Sequence, residues 1–99
     1  MPALTISPRT EFYSTHKTGK LAPTMAERDI TAALAIFPTR HDRASGDGKV
    51  TMEWSFYVTD GEGKRYPCGV WDYKGARWSV YGPPALMADV FGEAYREGY

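Results

Sequence analysis

The strict alternation between residues 50 and 59 constrains the fold of this chain more than any other feature of its sequence. Every second residue of the run is apolar: Val50, Met52, Trp54, Phe56 and Val58. The residues between them are Thr51, Glu53, Ser55, Tyr57 and Thr59. Because successive side chains of a strand point to opposite faces, this alternation predicts a half-buried antiparallel strand.

Two glycine-containing turns extend this strand into a β-meander. Glycine supplies the positive φ angles that tight hairpin turns need, and it occurs in the stretch 60–63 and in Lys74-Gly75. If Asp60 and Gly63 close the first turn, Trp54 lies opposite Gly69, which leaves room beside the indole ring. The sequence therefore predicts three consecutive antiparallel strands.

This register brings all three tryptophans to one face of the sheet. That face carries Met52, Trp54, Phe56, Val58, Trp71, Tyr73, Trp78 and Val80. The opposite face carries Thr51, Glu53, Ser55, Tyr57, Tyr66, Cys68, Val70, Asp72, Arg77, Ser79 and Tyr81. A slip of one residue in the first hairpin would reverse the faces of the middle strand. On the tryptophan face, such a slip exchanges Trp71 and Tyr73 for Cys68 and Val70.

A first helix is predicted before the sheet. Thr24 and Glu27 have the spacing of a capping box, in which each side chain binds a free amide of the first turn. An apolar stripe follows at helical spacing: Ile30, Ala33, Leu34 and Phe37. Pro38 ends the helix because proline cannot donate a backbone hydrogen bond.

A second helix is predicted to begin at Pro83-Pro84, since proline is tolerated in a first turn. Its apolar side carries Leu86, Met87, Val90, Phe91 and Ala94. The helix is expected to fray beyond Tyr95.

The expected fold class is α+β, in the order αβββα. Both helices pack on the tryptophan face of an antiparallel three-stranded meander, and 99 residues with 42% hydrophobic content suit one such domain over residues 24–99. Residues 1–23 form an N-terminal arm without strong periodicity. The arm either adds a fourth strand through Leu4, Ile6, Phe12 and Tyr13, or is partly disordered.

Charge and composition argue against several classes of function. Twelve basic side chains balance twelve acidic ones, whereas nucleic-acid-binding domains gather an excess of Lys and Arg into a patch. The element order is similar to that of the double-stranded-RNA-binding domain, but the stretch 81–86 lacks that family's lysine cluster. A single cysteine fits a reducing compartment, and the apolar runs are too short to span a membrane. We expect a cytoplasmic protein without nucleic-acid or membrane partners.

Residues suited to catalysis or metal binding are few. His16 and His41 are far apart and lack the Asp, Glu or Cys spacing of a metal site. Cys68 follows Pro67 in a predicted strand, where no helix N-terminus would lower the pKa of its thiol. We therefore expect a non-enzymatic protein without a cofactor.

The face opposite the tryptophans offers a candidate binding surface. Tyrosine and arginine are enriched at protein interfaces because each buries area while keeping a polar end. The candidate contact residues there are Tyr57, Tyr66, Arg77 and Tyr81, and Arg40 and Arg43 in the long loop form a secondary basic patch. This surface binds another protein or a second copy of the chain, unless residues 1–23 cover it. As an alternative, the tyrosines stack on single-stranded nucleic acid.

The chain also resembles small uncharacterised proteins of phages and mobile elements, over residues 24 to 95. The resemblance is carried by Asp-Gly-Lys-Val-Thr-Met-Glu-Trp at 47–54, by Cys-Gly-Val-Trp-Asp-Tyr-Lys-Gly at 68–75, and by Arg77-Trp78. Such proteins are often stoichiometric inhibitors of host machinery, and they include anti-CRISPR proteins. The resemblance implies a steric inhibitor of a bacterial defence complex in the cytoplasm of a host cell. It carries over no functional residue.

Overall fold

A computed structural model describes residues 4–9, 17–40, 52–73 and 76–97. The elements follow in the order β1 (Thr5–Pro8), β2 (Gly19–Leu21), α1 (Glu27–Leu34), β3 (Thr39–Arg40), β4 (Met52–Thr59), β5 (Arg65–Tyr73), β6 (Ala76–Tyr81), α2 (Pro84–Phe91) and β7 (Tyr95–Glu97). A short 3-10 helix, Gly92–Ala94, connects α2 to β7. Within these ranges, neither helix is long and apolar enough to cross a membrane.

One antiparallel sheet contains all the described strands. Its order is β1-β4-β5-β6-β2-β7, and β3 pairs with β4 beside β1. The prediction of an α+β fold with an antiparallel sheet and two helices is confirmed, but the three- or four-stranded αβββα arrangement is wrong. The additional strands have two to four residues each, which is too short for alternation to reveal them.

The loop between β4 and β5 sets the register of the first hairpin. Asp60 N donates to Lys64 O at 2.9 Å, and the Asp60 carboxylate accepts from the amides of Glu62 and Lys64, each at 2.9 Å. Gly63 has a φ of 85°. Three loop residues with glycine in the left-handed conformation form a recurrent hairpin connection. The predicted closure between Asp60 and Gly63 is therefore wrong by one residue.

This shift divides the tryptophans between the two faces of the sheet. Trp54 pairs with Val70, and Trp71 pairs with Glu53 instead of facing the core beside Trp54. The expectation that all three indoles share one face is wrong, and the slipped alternative is the one found: Cys68 and Val70 join the core face. Tyr73 pairs with Ala76 as predicted, but an irregularity between residues 71 and 73 pairs Trp71 with Ser79. The turn Lys74-Gly75 and residues 50 and 51 lie outside the described ranges.

The core lies between the sheet and the two helices. The rings of Trp54 and Trp78 meet edge to face, with centroids 5.3 Å apart and planes at 76°. Trp54 Nε1 donates to Thr31 Oγ1 at 3.3 Å, and Trp78 Nε1 donates to Met25 O at 2.8 Å. Each helix adds two residues to the same core: Ile30 and Leu34 from α1, and Met87 and Phe91 from α2. Both helices thus cover the face that carries Trp54 and Trp78, as predicted.

Helix α1 is shorter than predicted at both ends. It begins at Glu27, where the Asp29 carboxylate accepts a hydrogen bond from Ala26 N at 2.8 Å, so the cap predicted at Thr24 is wrong. It ends at Leu34, because Ala35 takes a left-handed φ of 56°. Phe37 therefore leaves the predicted stripe, and its side chain is 85% exposed. Ala33 is exposed as well.

Helix α2 begins at Pro84 as predicted and ends earlier than expected. Gly92, with a φ of 63°, terminates it after Phe91. Tyr95–Glu97 then forms β7, which pairs with β2. The prediction that the α-helix continues through Ala94 and frays only beyond Tyr95 is therefore wrong: Gly92–Ala94 is a 3-10 helix, and Tyr95 already belongs to the sheet edge.

Candidate functional site

The side chains at the centre of the sheet face opposite the helices are buried. Glu53, Ser55 and Trp71 lie on this face and are 3%, 6% and 2% exposed. Tyr57 and Tyr81 lie on it, as predicted, and both are half-buried. The centre of this face is therefore not a surface that a partner could contact.

Tyr57 is held between two arginines. Arg9 N donates to Ser55 O at 3.0 Å, and the Arg9 guanidinium lies 5.4 Å from the centroid of the Tyr57 ring. The Arg65 guanidinium lies 4.3 Å from the same centroid. Arg9 belongs to the N-terminal arm. At Tyr57 the structure therefore favours the alternative that residues 1–23 cover this face over the alternative that the face is free to bind a partner. Phe12 and Tyr13 of the arm lie outside the described residues.

Tyr66 and Tyr81 come together at one end of the sheet. The shifted register places Tyr66 opposite Val58 on the helix-bearing face, so its predicted position opposite Tyr57 is wrong. In β5, Gly69 is the residue that pairs with Tyr81, and the strand begins four residues earlier, at Arg65. Tyr66 therefore lies beside the point where β6 ends and α2 begins. There the two tyrosines line a groove of about 280 Å³ together with Thr18, Pro67, Gly82, Pro83 and Pro84. We call it the Tyr66–Tyr81 groove.

Thr18 and Gly82 join the walls of this groove. Thr18 Oγ1 donates to Gly82 O at 2.9 Å and accepts from Gly82 N at 3.1 Å, while Thr18 N donates to Val80 O at 2.7 Å. Gly82 has a φ of 153°, and a Cβ there would lie 2.9 Å from Cys68 Sγ. Glycine is thus required where β6 turns into α2. Prolines have a restricted backbone, so the groove is formed before any ligand arrives.

The groove is suited to a protein side chain or an extended segment. Aromatic-lined grooves bind extended, proline-rich peptide segments in several recognition domains. The Lys64 ammonium lies 5.2 Å from the centroid of the Tyr66 ring and adds a cation at the rim. A volume of about 280 Å³ is at the lower limit of small-molecule sites, which typically measure about 300–1,000 Å³.

The other candidate residues are separate from this groove. Arg77 is exposed and lines two clefts, one with Lys20 and Arg96 and one with Phe37. The backbone of Arg40 pairs with Met52, whereas the Arg40 side chain and the whole of Arg43 lie outside the described residues.

Several residues of the groove were missed from the sequence. Thr18 belongs to the N-terminal arm, where the sequence has no periodic pattern. Pro83-Pro84 indicates the start of a helix, and that pattern alone does not indicate a groove. The proline pair beside Tyr81 was the available signal, because a rigid turn next to an aromatic residue forms a fixed apolar wall.

Cys68 is part of the core. Its side chain is 0% exposed, and Sγ donates to Tyr66 O at 3.5 Å. Burial raises the pKa of the Cys68 thiol from 9.0 to about 12. Because the thiolate is the nucleophilic form, a thiol with this pKa is unreactive at neutral pH. Across the described ranges, no group of three His, Cys, Asp or Glu side chains could hold a metal ion; His16 and His41 lie outside them.

The raised pKa predicts a loss of stability in alkaline solution. Above pH 9 the unfolded chain releases the Cys68 proton while the folded chain retains it until about pH 12, so the free energy of unfolding falls through that interval. At pH 10.5 we expect this thiol to lower it by about 2 kcal/mol relative to pH 8. The measurement is urea unfolding of the wild type and Cys68→Ala at both pH values. Equal pH dependence of the two proteins would contradict the prediction.

Comparison with protein-family models, with curated proteins and with solved structures found no match for this chain.

Proposed function

We propose that this chain is a protein-binding module that contacts its partner through the Tyr66–Tyr81 groove. The observation that supports this proposal most strongly is that two candidate contact residues, predicted on other grounds, line one open groove with three prolines. Tyrosines in such a position provide a large contact area with little loss of side-chain entropy on binding.

The rigidity of the groove supports the same proposal. Binding energy is lost when loops and side chains must be ordered on association. Here the hydrogen bonds between Thr18 and Gly82 hold the two walls together, and Pro83 and Pro84 limit the backbone. A partner segment therefore meets a surface that is already in place.

The resemblance to phage proteins suggests the class of partner. We propose that the partner is a bacterial defence complex of the CRISPR type, and that the chain inhibits it by occupying a surface that the complex needs. No chemical step is required for such inhibition, in agreement with the burial of Cys68. Single-stranded nucleic acid remains the alternative ligand, and its binding would weaken steeply with salt.

The test is to mix the full chain with purified CRISPR effector complexes and to measure co-elution and target cleavage. We expect Tyr81→Ala and Tyr66→Ala to weaken binding about tenfold or more, as is usual for central aromatic contacts. Tyr57→Ala is the matched control, because it removes the same side chain outside the groove; thermal melts must show that all three variants are folded. Absence of co-elution at micromolar concentrations, or equal affinity of Tyr81→Ala and Tyr57→Ala, would overturn the proposal.

A further inference from the structure

Three basic side chains line one cleft on strands β2, β6 and β7. Lys20 pairs directly with Arg96, and Arg77 joins them from β6 in a cleft of about 380 Å³. The remaining lining residues are Leu21, Ala22, Pro23 and Ala94. Among the residues that the structure describes, the lining thus has three cations and no carboxylate, in a chain whose acidic and basic residues are equal in number.

This arrangement is unfavourable in the free protein. Like charges directly opposite each other on paired strands repel, and Lys20 and Arg96 are such a pair. Arg96 is also held in place, because its guanidinium donates to the carbonyl oxygens of Glu93 and Tyr95. A bound anionic group would relieve the repulsion and would meet donors that are already positioned.

Arg77 connects this cleft to a second one. It also lines a cleft of about 600 Å³ together with Phe37 and residues at the start of the first helix, which are Ala26, Glu27, Arg28, Thr31 and Ala32. Among the described residues, Phe37 is the one large apolar side chain that is exposed, at 85%. A cationic cleft and an exposed aromatic ring therefore adjoin at one arginine.

We propose that this surface, formed by Lys20, Arg77, Arg96 and Phe37, docks an acidic segment of a protein partner that carries a neighbouring apolar residue. The proposal rests on the proposed function, in that the ligand is a protein. A nucleic-acid strand fits less well, because Glu93 and Glu97 are exposed on either side of Arg96 and would repel an anion that extends beyond the cleft. A segment of three acidic residues supplies one carboxylate for each of the three cations and needs only the cleft itself.

The test uses a fluorescein-labelled peptide of three Glu and Asp residues followed by one Leu, titrated with the full chain and followed by fluorescence anisotropy. Two other probes accompany it: the same peptide with Gln and Asn in place of the acids, and an oligothymidine long enough to extend beyond the cleft. We expect the acidic peptide to bind, the amide peptide not to bind, and Arg77→Gln and Phe37→Ala to weaken binding about tenfold. Arg65→Gln is the matched control, since it removes an exposed arginine that lines neither cleft.

No binding of the acidic peptide, equal binding by Arg77→Gln and Arg65→Gln, or tighter binding of oligothymidine would overturn this proposal. The proposed function is tested separately by Tyr81→Ala, which should leave acidic-peptide binding unchanged because Tyr81 does not line either cleft. An experiment that contradicts the proposed role of the Tyr66–Tyr81 groove can therefore be distinguished from one that contradicts the proposed role of the cationic cleft.

Discussion

Replacing Trp78 by alanine is expected to lower the free energy of unfolding by about 3–5 kcal/mol, which is the usual cost of removing a buried tryptophan. The Trp78 side chain is 4% exposed and packs edge to face on Trp54. Its removal leaves a cavity beneath α1 and leaves the carbonyl of Met25 without the 2.8 Å hydrogen bond from Nε1. Urea unfolding followed by circular dichroism measures the change.

Phe37→Ala is the matched control for this substitution. The sequence predicts that Phe37 belongs to the apolar stripe of the first helix, but the structure leaves its ring 85% exposed. Exposed residues usually change stability by less than about 0.5 kcal/mol when truncated. Comparable losses in Trp78→Ala and Phe37→Ala would contradict the end of α1 at Leu34.

Gly19→Ala is expected to cost about 1–3 kcal/mol, in the range of other substitutions that overpack a closed site. A Cβ at Gly19 would lie 2.5 Å from the Tyr95 hydroxyl oxygen and 2.7 Å from the carbonyl oxygen of Arg96. The second contact is with backbone, so relief requires movement of β7 away from β2. Thermal unfolding of the variant measures the cost.

Gly69→Ala is the control for Gly19→Ala, because an added Cβ has room at Gly69 and none at Gly19. In the predicted register Gly69 leaves room for Trp54, and any side chain there would clash with the indole ring. In the structure Gly69 pairs with Ser55 and Tyr81, and the nearest atom to an added Cβ is Trp54 O at 3.4 Å, an ordinary contact. We expect Gly69→Ala to change stability by less than about 1 kcal/mol. A larger loss in Gly69→Ala than in Gly19→Ala would support the register that the structure excludes.

The two proposed contact surfaces lie toward opposite ends of β6. The Tyr66–Tyr81 groove lies where β6 meets α2, and the cationic cleft contains Arg77 near the start of the same strand. Strand β2 contributes to both, through Thr18 immediately before it and Lys20 within it. A short strand from the N-terminal arm, which has no recognisable sequence pattern, thus supports both candidate surfaces.

Prediction from the sequence succeeded where a pattern repeats over many residues. The alternation identified strand β4 and its apolar face, and Pro83-Pro84 identified the start of α2. The expectation that β4 is only half-buried is wrong, because Glu53 and Ser55 on its other face are buried as well. Prediction also failed where a few local hydrogen bonds decide the register. The Asp60 carboxylate binds the amides of both Glu62 and Lys64, and so lengthens the first loop by one residue. That one residue moved Trp71 and Tyr66 to the faces opposite those predicted.

The sequence by itself determined that this chain forms an antiparallel sheet with one apolar face and two amphipathic helices to cover it. These features follow from side-chain periodicity, which depends only on local geometry. Only the tertiary structure decided which tyrosines line one groove, because the pairing of β5 with β6 brings Tyr66 near Tyr81 and the pairing of β2 with β6 adds Thr18. Short strands such as β2 owe their place to the hydrogen bonds of neighbouring strands, so no local pattern could have revealed them.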